Sequence, residues 1–237
     1  MKSRLDQNVP IFMIIAIDGP SGAGKSTLGK MLAKQLGLLY LDTGAMYRAV
    51  AVSALHNGTS FNDADGLTQT AEIAKIDLVG EPDALHVILD GDDVTAEIRT
   101  LEVAQAASLV STISGVRRVM VDHQREIGMS APSGCVLEGR DIGSVVFPNA
   151  DFKFFLTAKP EARARRRYEE DRAKGLVTTY EETLEQINQR DQRDVSRTDS
   201  PLVIAEDAIV IDTSELDLSE VFEQMITAVQ KNNNAAA

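Results

Sequence analysis

Residues 11–27 read IFMIIAIDGPSGAGKST, an apolar run that stops at an aspartate and gives way to glycines, a lysine and two hydroxyl residues. The run 11–17 is rich in β-branched side chains and has no polar break, which suits a central parallel strand covered on both faces. Gly19, Pro20, Ser21, Gly22, Ala23, Gly24, Lys25 and Ser26 then fit the pattern G-x-x-x-x-G-K-[ST]. Behind them Leu28, Met31, Leu32, Gln35 and Leu36 recur at helical spacing, and Gly37 stands where a helix ends. Strand, glycine loop and helix in this order form a phosphate cradle. The glycines let backbone N–H groups turn inward, where they and the helix N-terminus meet phosphate oxygens. Lys25, read as an exposed loop lysine without a packing role, would bridge the β and γ phosphates. Ser26 would offer its hydroxyl to Mg²⁺.

Outward from this segment the pattern alternates. Residues 38–41 read as a strand and 45–55 as a helix ended by Asn57 and Gly58. Short β-like residues 84–89, flanked by Gly80, Pro82 and Gly91, suggest a small inserted sheet between about 77 and 94. Helical pattern resumes over 101–124 with a break near Ser114 and Gly115. Residues 135–137 and 151–156 read as further strands. Pro160 opens a helix over 161–174, a second helix covers 180–197, and strand 209–211 and helix 218–229 follow. The expected fold is α/β, a mostly parallel sheet flanked by helices with ligands beyond the carboxyl ends of its strands. Periodicity leaves the strand order open. The core is assigned to 11–62 and 102–230, with an insert at 63–101 and an arginine-rich lid at 160–175. Residues 1–10 and 231–237 are expected to be disordered.

The chain of 237 residues has 43% hydrophobic residues and a formal net charge of -12, enough for a full core and unsuited to tracking a nucleic-acid backbone. A single cysteine, Cys135, forms no internal disulfide and reads as a small buried hydrophobe of a cytoplasmic protein. No apolar stretch approaches the roughly 20 residues of a membrane helix. The three histidines, His56, His86 and His123, have no second ligand at helix or loop spacing, so no zinc site is expected. No Asn-Lys-x-Asp guanine-reading segment occurs, which favours a small-molecule kinase over a GTPase.

Two arginine groups stand out: Arg163, Arg165, Arg166, Arg167 and Arg172, then Arg190, Arg193 and Arg197. Such guanidinium groups suit the oxygens of a transferring phosphoryl group, and a mobile helix over 160–174 would bring them to ATP. The plainer alternative is a solvated helix laced with i,i+4 pairs. Arg190, Asp194 and Arg197, spaced by four and three, project from one helix face, as a surface ion-pair ladder also would.

The segments IAIDGPSGAGKST at 15–27, LDTGAMYR at 41–48, EIRTLEV at 97–103, EGRDIGSVVFP at 138–148 and RDQRDVSR at 190–197 together resemble the bacterial cytidylate kinases. The resemblance implies transfer of the γ-phosphoryl group of ATP to CMP or dCMP, with Mg²⁺ as cofactor. It implies that Arg48 and Arg140, with Ser21, grip the acceptor phosphate. Ser108, Arg117 and Asp141 would face the cytosine, and Tyr47, Arg190 and Asp194 the ribose, with Thr43 and Arg197 also in the acceptor site. Gly19 to Thr27 and Arg166 would bind ATP, and Lys25, Arg140 and Arg166 would act in catalysis. The insert looks like the extra acceptor-binding segment of that family. Whether Ser26 or Thr27 meets the metal is open. Glu138 and Asp141 are placed to hold Mg²⁺ through water or to accept a proton, or else to be simply structural. A monomer acting on small nucleotides, without nucleic acid or membrane, is the expectation; a kinase for another small acceptor and a nucleotide-dependent binding switch are the alternatives.

Overall fold

The computed structural model describes residues 12–235. Residues 1–10, expected to be a disordered leader, lie outside the described residues, as do Ile11 and positions 236–237.

Strand β1 (Met13–Asp18) occupies the middle of a five-stranded sheet and is buried along its whole length. Its side chains divide with the strand period of two. Ile14 and Ala16 enter one core with residues of the helix α2 (Thr43–His56), while Met13, Ile15 and Ile17 enter another with residues of the helices α1 (Lys25–Leu36) and α8 (Leu218–Ala235). That two-sided burial is why the sequence here shows no polar alternation. The sheet order is β2 (Leu39–Asp42), β6 (Gly134–Gly139), β1, β7 (Phe152–Thr157) and β8 (Ile209–Asp212), parallel throughout. Register sets Asp42 opposite Glu138, and Asp18 opposite Gly139. Three neighbouring strands therefore end at one level, each with a carboxylate at or beside its last residue.

Between α2 and β6 the chain adds α3 (Ala64–Ile73), an antiparallel sheet of β3 (Ile76–Val79), β4 (His86–Leu89) and β5 (Asp92–Asp93), and the helices α4 (Leu101–Val110) and α5 (Ser114–Ser130). Helix α3 is absent from the sequence reading, although Asp63 caps its N-terminus and Leu67, Thr70 and Ala71 form its buried face. The helical pattern of 101–124 is two helices. Ser111 and Thr112 donate their hydroxyls to the carbonyls of Ser108 and Leu109, which ends α4, and α5 begins at Ser114. Cys135 is fully buried and packs as the expected small hydrophobe, its thiol pushed up to about 12 by burial. The C-terminal segment departs from expectation. Helix α8 runs to Ala235, so positions 231–235 extend a helix already anchored by Val221, Met225 and Val229, for which propagation costs far less than nucleation.

Two further helices, α6 (Pro160–Ala173) and α7 (Tyr180–Ser196), pack on each other beyond the carboxyl end of β7. Pro160 opens α6, and Thr179 with Glu182 forms a capping box at the head of α7. The helix over 160–174, expected to be a mobile lid, is anchored near its start. Arg163 and Ala164 are buried, whereas Leu176 and Val177 at the tip are exposed.

Gly19 is the tightest point of the phosphate loop: with φ of 144°, a Cβ there would lie 2.0 Å from the carbonyl oxygen of Leu156 in β7. Gly19→Ala is expected to lower stability by about 3 kcal/mol or more, because a backbone oxygen of a central strand has to move. Gly37→Ala, at φ of 67° with nothing within 4 Å, is expected to cost about 1 kcal/mol. Equal losses in urea unfolding would contradict this account of the loop.

Candidate active site

The loop after β1 is buried or half-buried except at Gly22, and its glycines Gly19, Gly22 and Gly24 have positive φ. Lys25 corrects the sequence reading. It is 6% exposed, with its amine donating to the carbonyl of Pro20 at 2.8 Å. As the first residue of α1 it lies beneath the curled loop, where its stem is packed and its charge is out of water. Burial, and after it the charge of Arg140, lowers its amine to about 7. Ser26 and Thr27 are exposed on the first turn of α1. The Ser26 hydroxyl also lies against the Glu138 carboxylate, and the Ser21 carbonyl faces Arg163.

At the end of β6, Glu138 is buried. Tyr40 donates its hydroxyl to the carboxylate, and Thr43 donates to the Glu138 carbonyl at 2.6 Å. Burial, then the Asp42 charge, raises the Glu138 carboxyl above its usual range, with Lys25 opposing. The next residues turn sharply. Asp18 accepts the backbone N–H groups of Ile142 and Gly143 at 2.8 and 2.7 Å, which ties the segment carrying Arg140 and Asp141 to the root of the phosphate loop. Burial outweighs those two bonds and holds the Asp18 carboxyl up to about 6. Sequence reasoning gave Asp18 no role, and only its position at the strand end could have suggested one.

Arg140 donates its Nε to Asp194 on α7 at 2.7 Å, and Arg197 lies 3.9 Å from the same carboxylate. Arg190 makes no ion pair among the described residues; burial, then the charge of Arg140, lowers its guanidinium to about 10. Lys25, Arg140 and Arg190 thus crowd one desolvated spot, and among the described residues only Arg140 of the three has an ion-pair partner, Asp194. Arg48 donates to Asp42 at 2.8 Å. Deeper in, Arg117 donates to Asp141 and, at 3.0 Å, to the Ser111 carbonyl, and its guanidinium lies 5.5 Å from the Tyr47 ring centroid. Burial pushes the Tyr47 phenol up to about 12. Ser108 accepts from Arg193 at 2.7 Å. The Nε atoms of Arg48, Arg117 and Arg197 are buried without a hydrogen-bond partner among the described residues.

Arg166 reaches Thr213, donating to its hydroxyl at 3.1 Å and to its carbonyl, and Thr213 in turn donates to the Ala23 carbonyl of the phosphate loop. Lys25, Arg48, Arg140 and Asp141 thus stand about the carboxyl edge of β1, β2 and β6, while Arg166 sits by Thr213, just past the end of β8. Thr43 and Ser108 spend their side chains on protein partners. Arg163, read from sequence as one of the lid arginines, belongs to the same network, as do Asp191, Asp42 and Thr213, which were not singled out for the site; the partners of Asp191 and Thr213 lie far along the chain, whereas Asp42 pairs with the nearby Arg48.

The family model described as "Cytidylate kinase" matches residues 15–231. The cytidylate kinase of Caldanaerobacter subterraneus subsp. tengcongensis is 50% identical over 218 residues, covering 92% of this chain and 95% of the relative. That of Pelotomaculum thermopropionicum is 47% identical over 219 residues, covering 92% and 96%. The crystal structure of an uncharacterized protein from Eubacterium ventriosum is similar with a TM-score of 0.50 at 13% identity, covering 92% of this chain and 98% of that one, a likeness of fold alone.

Lys25 supplies a direct test of the anion site. With its amine near 7 in the free protein, it is mostly neutral at pH 8, where a triphosphate is fully ionised. A bound phosphate favours the charged amine, so ATP binding at pH 8 should take up protons, approaching one per site. Calorimetric titrations in two buffers of different ionisation enthalpy measure this uptake. Lys25→Met should abolish it; the same uptake in the variant would remove Lys25 from the phosphate site.

Proposed function

The chain belongs to the cytidylate kinase family, and we propose that it transfers the γ-phosphoryl group of ATP to CMP or dCMP, yielding ADP and CDP or dCDP. The observation that carries this reading is the desolvated cluster of Lys25, Arg140 and Arg190 at the end of the phosphate loop, in which Arg140 has an ion-pair partner, Asp194, and the other two have none among the described residues. A cluster of that kind stabilises two phosphate groups brought face to face better than it stabilises an empty site.

In this reading an oxygen of the CMP phosphate forms a bond to the γ-phosphorus while the bond to the bridging oxygen breaks, and ADP leaves with the electron pair. The attacking oxygen is already ionised, so no general base is required. Lys25 and the loop N–H groups hold the β and γ phosphates. Arg48 and Arg140 grip the acceptor phosphate, and Asp194 orients Arg140 through its 2.7 Å bond. Arg190 and Arg166 neutralise charge on the moving group.

Magnesium would be held by the hydroxyl of Ser26 or Thr27 together with nucleotide oxygens and water. Hard oxygen donors fit it here, since both hydroxyls are exposed and the Glu138 carboxylate stands beside Ser26. When bound, it would neutralise charge on the β and γ phosphates. The distal part of α6, beyond the buried Arg163 and Ala164, would close over ATP as a lid, and the insert at 63–101 would support the acceptor side.

The acceptor is tested by following ADP release with CMP, dCMP, UMP and AMP in turn. CMP and dCMP are expected to be preferred. Turnover that needs no acceptor would favour a nucleotide switch, and a preference for AMP would favour another kinase.

Base choice follows from Asp141, whose carboxylate can accept from the cytosine amino group and repels the uracil oxygen at the same position. Asp141→Asn is expected to lower kcat/KM for CMP and to narrow the preference over UMP by about tenfold or more. If both acceptors fall by one factor, Asp141 does not read the base.

A further inference from the structure

Arg163 lies outside every group that faces the acceptor, yet it is the most completely engaged arginine of the network. It is 2% exposed. Its Nε donates to the Ala158 carbonyl at 2.9 Å, its Nη1 to the Ser21 carbonyl at 3.1 Å, and its Nη1 and Nη2 form a two-pronged pair with Asp191 at 3.2 and 2.6 Å. The three partners belong to the end of β7, the phosphate loop and α7. Gly22 of the loop sits directly against it, where an added Cβ would be 3.1 Å from the Arg163 Cβ.

Asp191 follows Arg190 in sequence and precedes Asp194 by three residues, so both acids lie on one face of α7. Asp194 holds Arg140 at 2.7 Å, on the arm that follows β6. One helix is thereby fastened by one carboxylate to Arg163, which itself holds the donor loop, and by another to the acceptor arm. A planar guanidinium can serve a loop carbonyl and a carboxylate at once in fixed directions; an ammonium cannot.

We propose that Arg163 and Asp191 form a positioning pair that sets the separation between the phosphate loop and the groups that α7 presents to the acceptor. The pair does not touch the reacting atoms. It acts by holding the two phosphate groups in line, and a displacement on the order of 1 Å there can cost about a hundredfold in rate. This inference rests on the acceptor assignment above.

The test uses the full chain as wild type, Arg163→Lys, Asp191→Asn and the double variant, with kcat normalised to sites that bind ATP. Loss of positioning predicts that kcat falls about 30- to 100-fold in each single variant while KM for ATP and for CMP each moves less than about threefold. The double variant should be no slower than the worse single, because both changes break one unit. A kcat per competent site that is unchanged, even with a lowered Tm, overturns the proposal and leaves the pair as fold support. So do losses confined to KM, or losses that multiply in the double variant. If Arg163→Lys does not fold, Asp191→Asn decides alone by the same criterion. A wild type that binds ATP and leaves CMP untouched would refute the acceptor assignment, whereas an active wild type with fully active variants refutes the pair.

Discussion

Cations that have been taken out of water have to be neutralised by something, and the carboxyl edge of this sheet is arranged around that requirement. Guanidinium and ammonium groups from α1, α2, α5, α6, α7 and the segment after β6 converge there, and acids on the same elements answer only part of their charge. Asp42, Asp141, Asp191 and Asp194 are each committed to an arginine. Glu138 is buried with its carboxyl raised, which weakens its help to Lys25. What stays uncompensated is concentrated at Lys25 and Arg190 beside Arg140, within a chain whose overall charge is -12. In the proposed reaction, long-range repulsion of phosphate would be reversed at short range, at a spot a few ångströms across rather than over a basic surface.

The sheet makes this arrangement possible. Because β2, β6 and β1 run parallel and end in register, the phosphate loop, the acceptor arm and the head of α2 all start from one plane. Helix α7 then holds Arg140 of the segment after β6 through Asp194 and, through Asp191, the Arg163 that bonds the phosphate loop. Of the residues that look like an exposed ion-pair ladder in sequence, Asp194 makes a buried bond to Arg140 from a separate part of the site, and removing either partner would leave an uncompensated buried charge.

What the sequence made legible was local. The phosphate loop could be read because its glycines, its lysine and the flanking strand and helix are contiguous, and the parallel sheet because β1 lacks polar alternation. Helix α3 was legible in principle from Asp63 and the spacing of Leu67, Thr70 and Ala71, but it was lost beside the short inserted strands. The burial of Lys25 was hidden, since it depends on how the loop folds back over α1 and on Arg140 from far along the chain. The same holds for Asp18 with Ile142 and Gly143, and for Arg163 with Asp191: no periodicity or motif joins residues whose only relation is through the sheet and the packing of α6 on α7.

In the proposed reaction one desolvated cation cluster serves the triphosphate of ATP and the single phosphate of CMP at once. The most direct measurement is calorimetric binding of a bisubstrate molecule in which adenosine and cytidine are joined through five phosphates. The account predicts binding at least about a hundredfold tighter than ATP or CMP alone, because the second half binds at high effective concentration and completes the charge balance. Affinity no better than that of ATP would contradict it.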